Sequence, residues 1–502
     1  MKRLLFTCIL LLPFFTAGAL GRVPEVRLDG GFLHLRANQS SLRAVLEQFQ
    51  HAGVRVNMEP GIDAMVHGEI DGEPLESALA QLLESFNYLL YWEVIHGPLG
   101  PLPRLESIHV FRPGQRRAVR PLPRPSEGFE VGRNPLRPNE PFVRDELLIG
   151  VQRGTTAAEF RALLAMVGGT LVESIPELGI YRVRLPPDSD VFALVQQLRT
   201  QGAVSVAEPN YIYELPAPAQ APGDASTRTA AAPAGDGQDF VPVHSRQPAL
   251  AIFDSGLSPT FTFDDSVVGR FDAMDPTRSL SDPLGHGTQM AMVASGQVVP
   301  WGLPDEVGRQ RVPILAVRAF DDNGRATSVG IINAINYAAQ NGARVINMSW
   351  GTEANSAFLR DAVRRAREQD IVLVASAGNE PTQRRVYPAA FDEVVAVSAM
   401  NRDGSLWERS NYGDFIAAAA PGTGAFPVGH RGPPGSYAGT SIASANVSRA
   451  FALYFEQNPG ATAVEAERAF FQALTDAGPR GTDRYFGRGA LDASAWDRFL
   501  GN

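Results

Sequence analysis

Apolar and polar positions along this chain follow two periods, and the changes of period divide it into elements. Beyond residue 245, short apolar runs of strand length at 249–253, 313–319, 344–348, 371–375 and 394–398 alternate with helix-period runs at 329–339 and 357–367. Near-continuous apolar strands interleaved with helices predict an α/β fold, a parallel sheet with helices on both faces. One later run, Ile442, Ala445, Val447, Ala450, Phe451 and Leu453, predicts a long, well-buried helix starting at Ser441. That serine sits among small residues in Gly439-Thr440-Ser441-Ile442-Ala443-Ser444.

Two further patterned regions precede this one. Residues 146–215 read as strand 147–152, helix 157–167, strands 170–175 and 180–185, helix 191–199 and strand 204–213. The order β-α-β-β-α-β predicts a ferredoxin-like α+β unit. Residues 25–112 read as a small α+β unit with strands at 26–35, 54–58, 65–70, 88–95 and 108–111. One of its helices carries Leu42, Val45, Leu46 and Phe49 behind the cap Ser41, and the other carries Leu75, Ala78, Leu79, Leu82, Leu83 and Phe86. Between the two regions, residues 112–137 hold seven arginines, many prolines and two acids, which predicts an extended spacer; its charge suits either an acidic surface or plain solvation. Residues 215–239, rich in Ala, Pro, Gly and Thr, predict a flexible, cleavable linker.

Composition adds three constraints. A chain of 502 residues with 44% hydrophobic and 20% charged content exceeds one core. The single cysteine, Cys8, lies in a short basic start followed by an apolar run too brief to span a bilayer and by Ala17-Gly18-Ala19, the pattern of a secretory signal peptide. Without it no disulfide forms, so stability rests on packing. A formal net charge of −9 argues against nucleic acid as the main partner. The expected organisation is a signal peptide at 1–19, a domain at 25–112, a linker at 113–141, a domain at 142–215, a flexible linker at 216–240 and a final domain at 245–495.

Candidate chemistry lies in the final domain. Asp254 ends an apolar run, His286 stands in Gly285-His286-Gly287-Thr288, Asn379 in Ser376-Ala377-Gly378-Asn379, and Ser441 opens the long helix. A serine in the first helical turn has a free N–H and the positive end of the dipole beside it, which suits attack that creates an oxyanion. In the order Asp, His, Asn, Ser these motifs resemble those of subtilisin-like serine peptidases over residues 245–495. The resemblance implies Asp254 as orienter, His286 as base, Ser441 as nucleophile and Asn379 as oxyanion donor. It implies Ser349, Trp350 and Gly351 as the strand that pairs with an extended substrate, and Ser376, Ala377 and Gly378 as a second pocket wall. It implies polypeptide substrates, no cofactor and no metal in the chemistry; no clear calcium ligand cluster is readable.

Val206-Ala207-Glu208-Pro209-Asn210-Tyr211 resembles the end of the propeptide that precedes many such peptidases, which implies an intramolecular inhibitor at 142–215 and self-cleavage within 215–239. The pattern of 25–112, with Gly72-Glu73-Pro74-Leu75 opening its second helix, resembles the short N-terminal domain of secretins and TonB-dependent receptors and implies docking to an envelope protein, with the protein periplasmic, outer-membrane-associated or secreted. Ala445 and Asn446 stand where the family usually has proline and histidine, and Gln289 where histidine often follows Gly-His-Gly-Thr. These departures remove no chemical role but leave specificity open. Gly487-Arg488-Gly489 resembles the family's closing motif and implies a complete catalytic domain. An inactive scaffold on this fold and an envelope-complex component remain as alternative readings.

Overall fold

The computed structural model describes residues 24–29, 32–51, 54–97, 100–122, 129–217, 219–221, 249–263, 266–274 and 280–501. The expected signal peptide and nearly all of the expected flexible linker lie outside these residues. The chain divides into two compact units, one from Met1–Gly132 and Phe142–Asn210, the other from Arg133–Pro141 and Tyr211–Asn502.

In the first unit, β1 (Glu25–Asp29), β2 (Phe32–Ser41), α1 (Leu42–His51), β3 (Arg55–Met58), β4 (Met65–Pro74), α2 (Leu75–Leu82), β5 (Asn87–Gly97), β6 (Gly100–Phe111) and the short β7 (Arg120–Pro121) follow in order. They form one sheet ordered β1-β2-β4 and another ordered β5-β6-β3-β7. Leu42, Val45, Leu46, Phe49, Leu75, Ala78, Leu79 and Leu82 all enter one core, as their helical spacing requires, and Ser41 caps α1 by accepting from the Ala44 N–H at 3.1 Å. The run expected as one strand at 26–35 is a hairpin, with Leu28 opposite Leu33. Asp29-Gly30-Gly31 interrupts that run and is a turn sequence that outweighs its apolar continuity.

The expected spacer at 113–141 is corrected in part. It contains β7, then β8 (Val131–Asn134), which pairs with the long β9 (Arg137–Val151). Phe142 and Val143, which follow this stretch in β9, are buried.

After β9 come α3 (Ala157–Val167), β10 (Thr170–Ile175), β11 (Ile180–Arg184), α4 (Val191–Arg199) and β12 (Val204–Glu214). The strand order β10-β11-β9-β12 is the ferredoxin-like arrangement, with the first and third strands of the unit, β9 and β11, central and the second and fourth, β10 and β12, flanking them. Thr156 and Glu159 close a reciprocal capping box at the start of α3, and Asp190 caps α4. A buried ionic node ties this sheet together. Glu146, 2% exposed, accepts from Arg182 Nε and Nη2 at 2.8 Å, from Arg184 Nη2 at 2.9 Å and from Asn210 Nδ2 at 2.9 Å. Burial alone raises a carboxyl pKa, but the two guanidinium groups override it and hold Glu146 at about 2.

The second unit contains β13 (Ala249–Asp254), β14 (Val267–Asp272), α5 (His286–Ser295), β15 (Ile314–Arg318), β16 (Arg325–Thr327), α6 (Ser328–Gln340), β17 (Ala343–Met348), α7 (Ala357–Glu368), β18 (Val372–Ser376), β19 (Val394–Met400), β20 (Ala418–Pro421), β21 (Thr423–Phe426), β22 (Gly435–Ala438), α8 (Thr440–Gln457), α9 (Ala463–Ala473) and α10 (Ala493–Leu500). Seven of these strands form a parallel sheet ordered β14-β15-β13-β17-β18-β19-β20. The strand order reverses between β13 and β17, and such a switch point leaves a crevice at the carboxyl edge. Every residue of α8 from Thr440 to Leu453 is buried, because the helix lies across the sheet with α5, α9 and α10 packed against it. Among the described residues no helix is long and apolar enough to cross a membrane.

The Glu146 node makes a checkable statement about acid stability. A carboxyl held at about 2 against an ordinary 4.5 contributes stability that is present above the unfolded value and lost as pH falls from 4.5 towards 2, about 3 kcal/mol in all. In calorimetric scans of the full chain, the transition of the 142–215 region is expected to fall steeply over that window in the wild type. Glu146→Gln should start lower at pH 7 and lose the steep portion; an unchanged acid limb would show that the node carries none of it.

Candidate active site

Asp254 is the last residue of β13, at the carboxyl edge next to the switch point. Its Oδ1 lies 2.7 Å from His286 Nδ1, with both side chains almost wholly buried. The same oxygen accepts from the Ser255 N–H at 2.8 Å and from Ser255 Oγ at 3.2 Å. An ionised carboxylate is acceptor-only, so the facing Nδ1 carries the proton and Nε2 is left as the acceptor.

His286 opens α5 behind Gly285, whose φ of 77° is left-handed. A Cβ at Gly285 would also run into the Gly429 carbonyl, so glycine is required there on two counts. The loop before the histidine is held by a residue the sequence reading missed. Asp282 accepts from Ser255 Oγ at 2.7 Å and the Gly285 N–H at 2.9 Å through Oδ1, and from Thr288 N–H at 2.7 Å and Thr288 Oγ at 2.6 Å through Oδ2. One carboxylate thus gathers free donors at the start of α5 and reaches the residue next to Asp254. The legible signal was an acid four residues before the histidine.

A second histidine was also missed. The ring of His430 lies 4.7 Å from that of His286, centroid to centroid, at 58°. Burial, with His286 and Arg431 adding to it, pushes His430 down to about 2, so it stays neutral beside the first ring across the neutral range.

Ser441 lies in the first turn of α8 and is 3% exposed. Its Oγ donates to the Ser349 carbonyl at 3.3 Å. Asn379 fixes the start of the same helix from the neighbouring loop, its Oδ1 accepting from the Thr440 N–H at 3.0 Å and Thr440 Oγ at 2.8 Å. Because a backbone N–H can only donate, that contact assigns the amide oxygen and leaves the NH2 group facing away from Thr440.

The residues expected to line the substrate cleft divide by role. Gly351 exchanges two backbone hydrogen bonds with Glu214, each 3.4 Å, so it pairs with an extended strand. Trp350 is buried and packs edge-on against Tyr213 at 5.3 Å. Ser349 is fully buried; its Oγ accepts from Asn347 Nδ2 at 2.8 Å and lies 3.1 Å from Ser444 Oγ, joining β17 to α8. Ser376 and Ala377 are buried, and the Ala377 carbonyl accepts from Asn411 Nδ2 at 3.0 Å. Gly378 bonds backbone to backbone with Asn411 and through its N–H to Thr440 Oγ.

The strand beside Gly351 belongs to the chain itself. Ile212, Tyr213 and Glu214 pair antiparallel with Thr327, Ala326 and Arg325, and Leu215 N–H donates to the Gly324 carbonyl at 2.9 Å. Ala219 then accepts from Ala438 N–H at 2.9 Å, and Ala221 N–H donates to Ser436 at 3.0 Å. Residues 212–215 are therefore held beside β16 and Gly351, and residues 219–221 reach β22, just before Ser441.

A buried Asp–His pair beside a helix-borne serine, at the switch point of a parallel α/β sheet, marks the class of serine hydrolases. The model of the subtilase family matches residues 242–489, and that of the fervidolysin N-terminal prodomain matches residues 130–210. The chain is 30% identical over 353 residues to the thermophilic serine proteinase of Bacillus sp. strain AK1, covering 69% of this chain and 86% of that one. Against thermitase of Thermoactinomyces vulgaris it is 30% identical, covering 49% of this chain and 86% of that one. Against the minor extracellular protease Epr of Bacillus subtilis strain 168 it is 35% identical but spans only 38% of that protein's length. The crystal structure of fervidolysin from Fervidobacterium pennivorans matches with a TM-score of 0.56 at 21% identity, over 75% of this chain and 64% of that one, a likeness of fold. The chain belongs to the subtilase family of serine proteases and carries a prodomain ahead of its catalytic domain.

The position of Asp282 sets an expectation for its replacement. In Asp282→Asn an amide NH2 must face one of the four donors now bound, which displaces the His286 loop. Small displacements of a reacting group cost up to about 100-fold, so kcat on a short peptide should fall by roughly 10- to 100-fold with KM little changed. Equal loss of both parameters, or no loss, would show that Asp282 does not position the histidine.

Proposed function

We propose that this protein is an exported serine endopeptidase, made as a zymogen that its own 211–221 segment holds closed. The observation that carries the reading is the register of that segment: it is seated as an added strand against Gly351 and Gly324 and continues to Ala438, three residues before Ser441. A polypeptide substrate uses the same backbone groups once the segment leaves.

In the mechanism, Ser441 Oγ turns from the Ser349 carbonyl to His286 Nε2, which takes its proton as the oxygen attacks the peptide carbonyl. Asp254 holds the imidazole in the tautomer with the proton on Nδ1 and stabilises the imidazolium. The freed amide group of Asn379 and the Ser441 N–H receive the oxyanion, and Ser376 to Gly378 form the pocket wall. His286 then protonates the leaving amine, and water releases the acyl-enzyme by the reverse steps. The segment acts at the high effective concentration of a tethered inhibitor, about millimolar, until it is cut.

The same reading takes residues 1–19 as a signal peptide, places the enzyme outside the cytoplasm, secreted or periplasmic, and gives residues 25–112 the part of a docking domain separate from catalysis. Deleting those residues should change the location of the protein and leave hydrolysis of a short peptide intact.

Ser441→Ala and His286→Ala are each expected to abolish peptide hydrolysis, with the double variant scarcely worse, because the residues act as one unit. Asn379→Ala should raise the barrier by about 3 to 4 kcal/mol, the size found for such a donor in a subtilisin. Wild-type protein should cut itself so that mass spectrometry finds a new N-terminus between residues 216 and 219, the stretch held between the anchored Leu215 and Ala219. Ser441→Ala should remain uncut there; cleavage of that variant at the same place and rate, in the absence of other proteases, would require an external activator instead.

A further inference from the structure

The strand seated in the cleft carries side-chain information beyond its backbone pairing. Tyr213 is fully buried against Trp350, Leu215 is nearly buried, and Glu214 between them is half-exposed, the alternation of an extended strand. Across from Glu214 on one side is Gly351, which has no side chain; on the other is Arg325, whose Nε donates to Glu214 Oε1 at 3.2 Å. Arg325 is held by its own backbone, its N–H donating to Asp321 Oδ1 at 2.8 Å in the turn before β16. Among the described residues, Glu214 is the carboxylate that its guanidinium reaches. Cutting away the segment removes this partner and leaves a cation beside the place Glu214 occupied, in a protein whose formal net charge is −9.

We propose that Arg325 is a specificity-determining residue that selects substrates with an acidic side chain at the strand position Glu214 takes, directly after the residue that enters the Tyr213 pocket. This rests on the peptidase reading above and extends it to a substrate class: extended peptides with a large apolar residue, then Asp or Glu, then an apolar residue. Backbone pairing with Gly351 and Gly324 is blind to sequence, so discrimination at this position falls to the one charged contact. The two side chains are 36% and 43% exposed, so solvent screens the pair and the selectivity is modest, roughly two- to five-fold for Glu over Gln and larger against Lys.

The test uses protein expressed as the full chain and allowed to process, with three peptides copying residues 212–220, bearing Glu, Gln or Lys at the position of Glu214. Mixed in one reaction, their relative rates of loss by mass spectrometry give the ratios of kcat/KM without knowledge of the active enzyme concentration. The expected order is Glu above Gln above Lys, shrinking towards equality at about 1 M salt, where screening reaches within a few ångströms. In Arg325→Ala the ratios should collapse to about one, and in Arg325→Glu the Lys peptide should lead. Equal rates in the wild type, a preference indifferent to salt, or one that survives Arg325→Ala overturns this inference and leaves the peptidase reading standing. Failure to cut any of the three overturns both.

Discussion

The catalytic unit depends on the burial of α8 on all sides. A helix buried from Thr440 to Leu453 has nowhere to slide, so the residue at its first turn is fixed relative to the sheet beneath it. Ser349 anchors that turn from β17, and Asn379 anchors it from the loop after β18. Both anchors leave from the carboxyl edge of the parallel sheet, where Asp254 also emerges. Helix and sheet edge together bring residues far apart in sequence into contact, Asn379 with Thr440 and Ser349 with Ser441.

The second constraint is electrostatic. Asp254 and His286 are both buried, and a buried charge persists only when hydrogen bonds surround it. Ser255 links that pair to Asp282: its N–H donates to Asp254 at 2.8 Å, its hydroxyl donates to Asp282 at 2.7 Å and accepts from the Gly287 N–H at 3.0 Å. His430 adds an imidazole that burial keeps neutral, so it packs on His286 without opposing its protonation.

In the prodomain sheet the Glu146 node binds Asn210, directly before Tyr211, where the chain passes into the second unit. Within the second unit, Ile212, Tyr213 and Glu214 pair in register with Thr327, Ala326 and Arg325 of β16. Backbone pairing gives this segment its place, and Tyr213, Glu214 and Leu215 give it its particular character.

Much of this was legible in the residues alone. Period-two and near-continuous apolar runs gave the strands, helical spacing gave the core faces, and the motifs around Asp254, His286, Asn379 and Ser441 pointed to the family to which the chain belongs, because each rule is local and each motif lies within a few residues. Apolar continuity hid the hairpin of β1 and β2, and proline and arginine content hid the pairing of β8 with β9. What only the tertiary structure decided was everything set by contacts distant in sequence: the four donors collected by Asp282, the ring of His430 beside His286, the Ser441 hydroxyl resting on Ser349, and Arg325 opposite Glu214. Those partners lie from 3 (Asp282 and Gly285) to 144 (His286 and His430) residues apart, and even the nearest of them depends on how a loop closes. No periodicity records such closures; they follow from packing the sheet and helices into one volume.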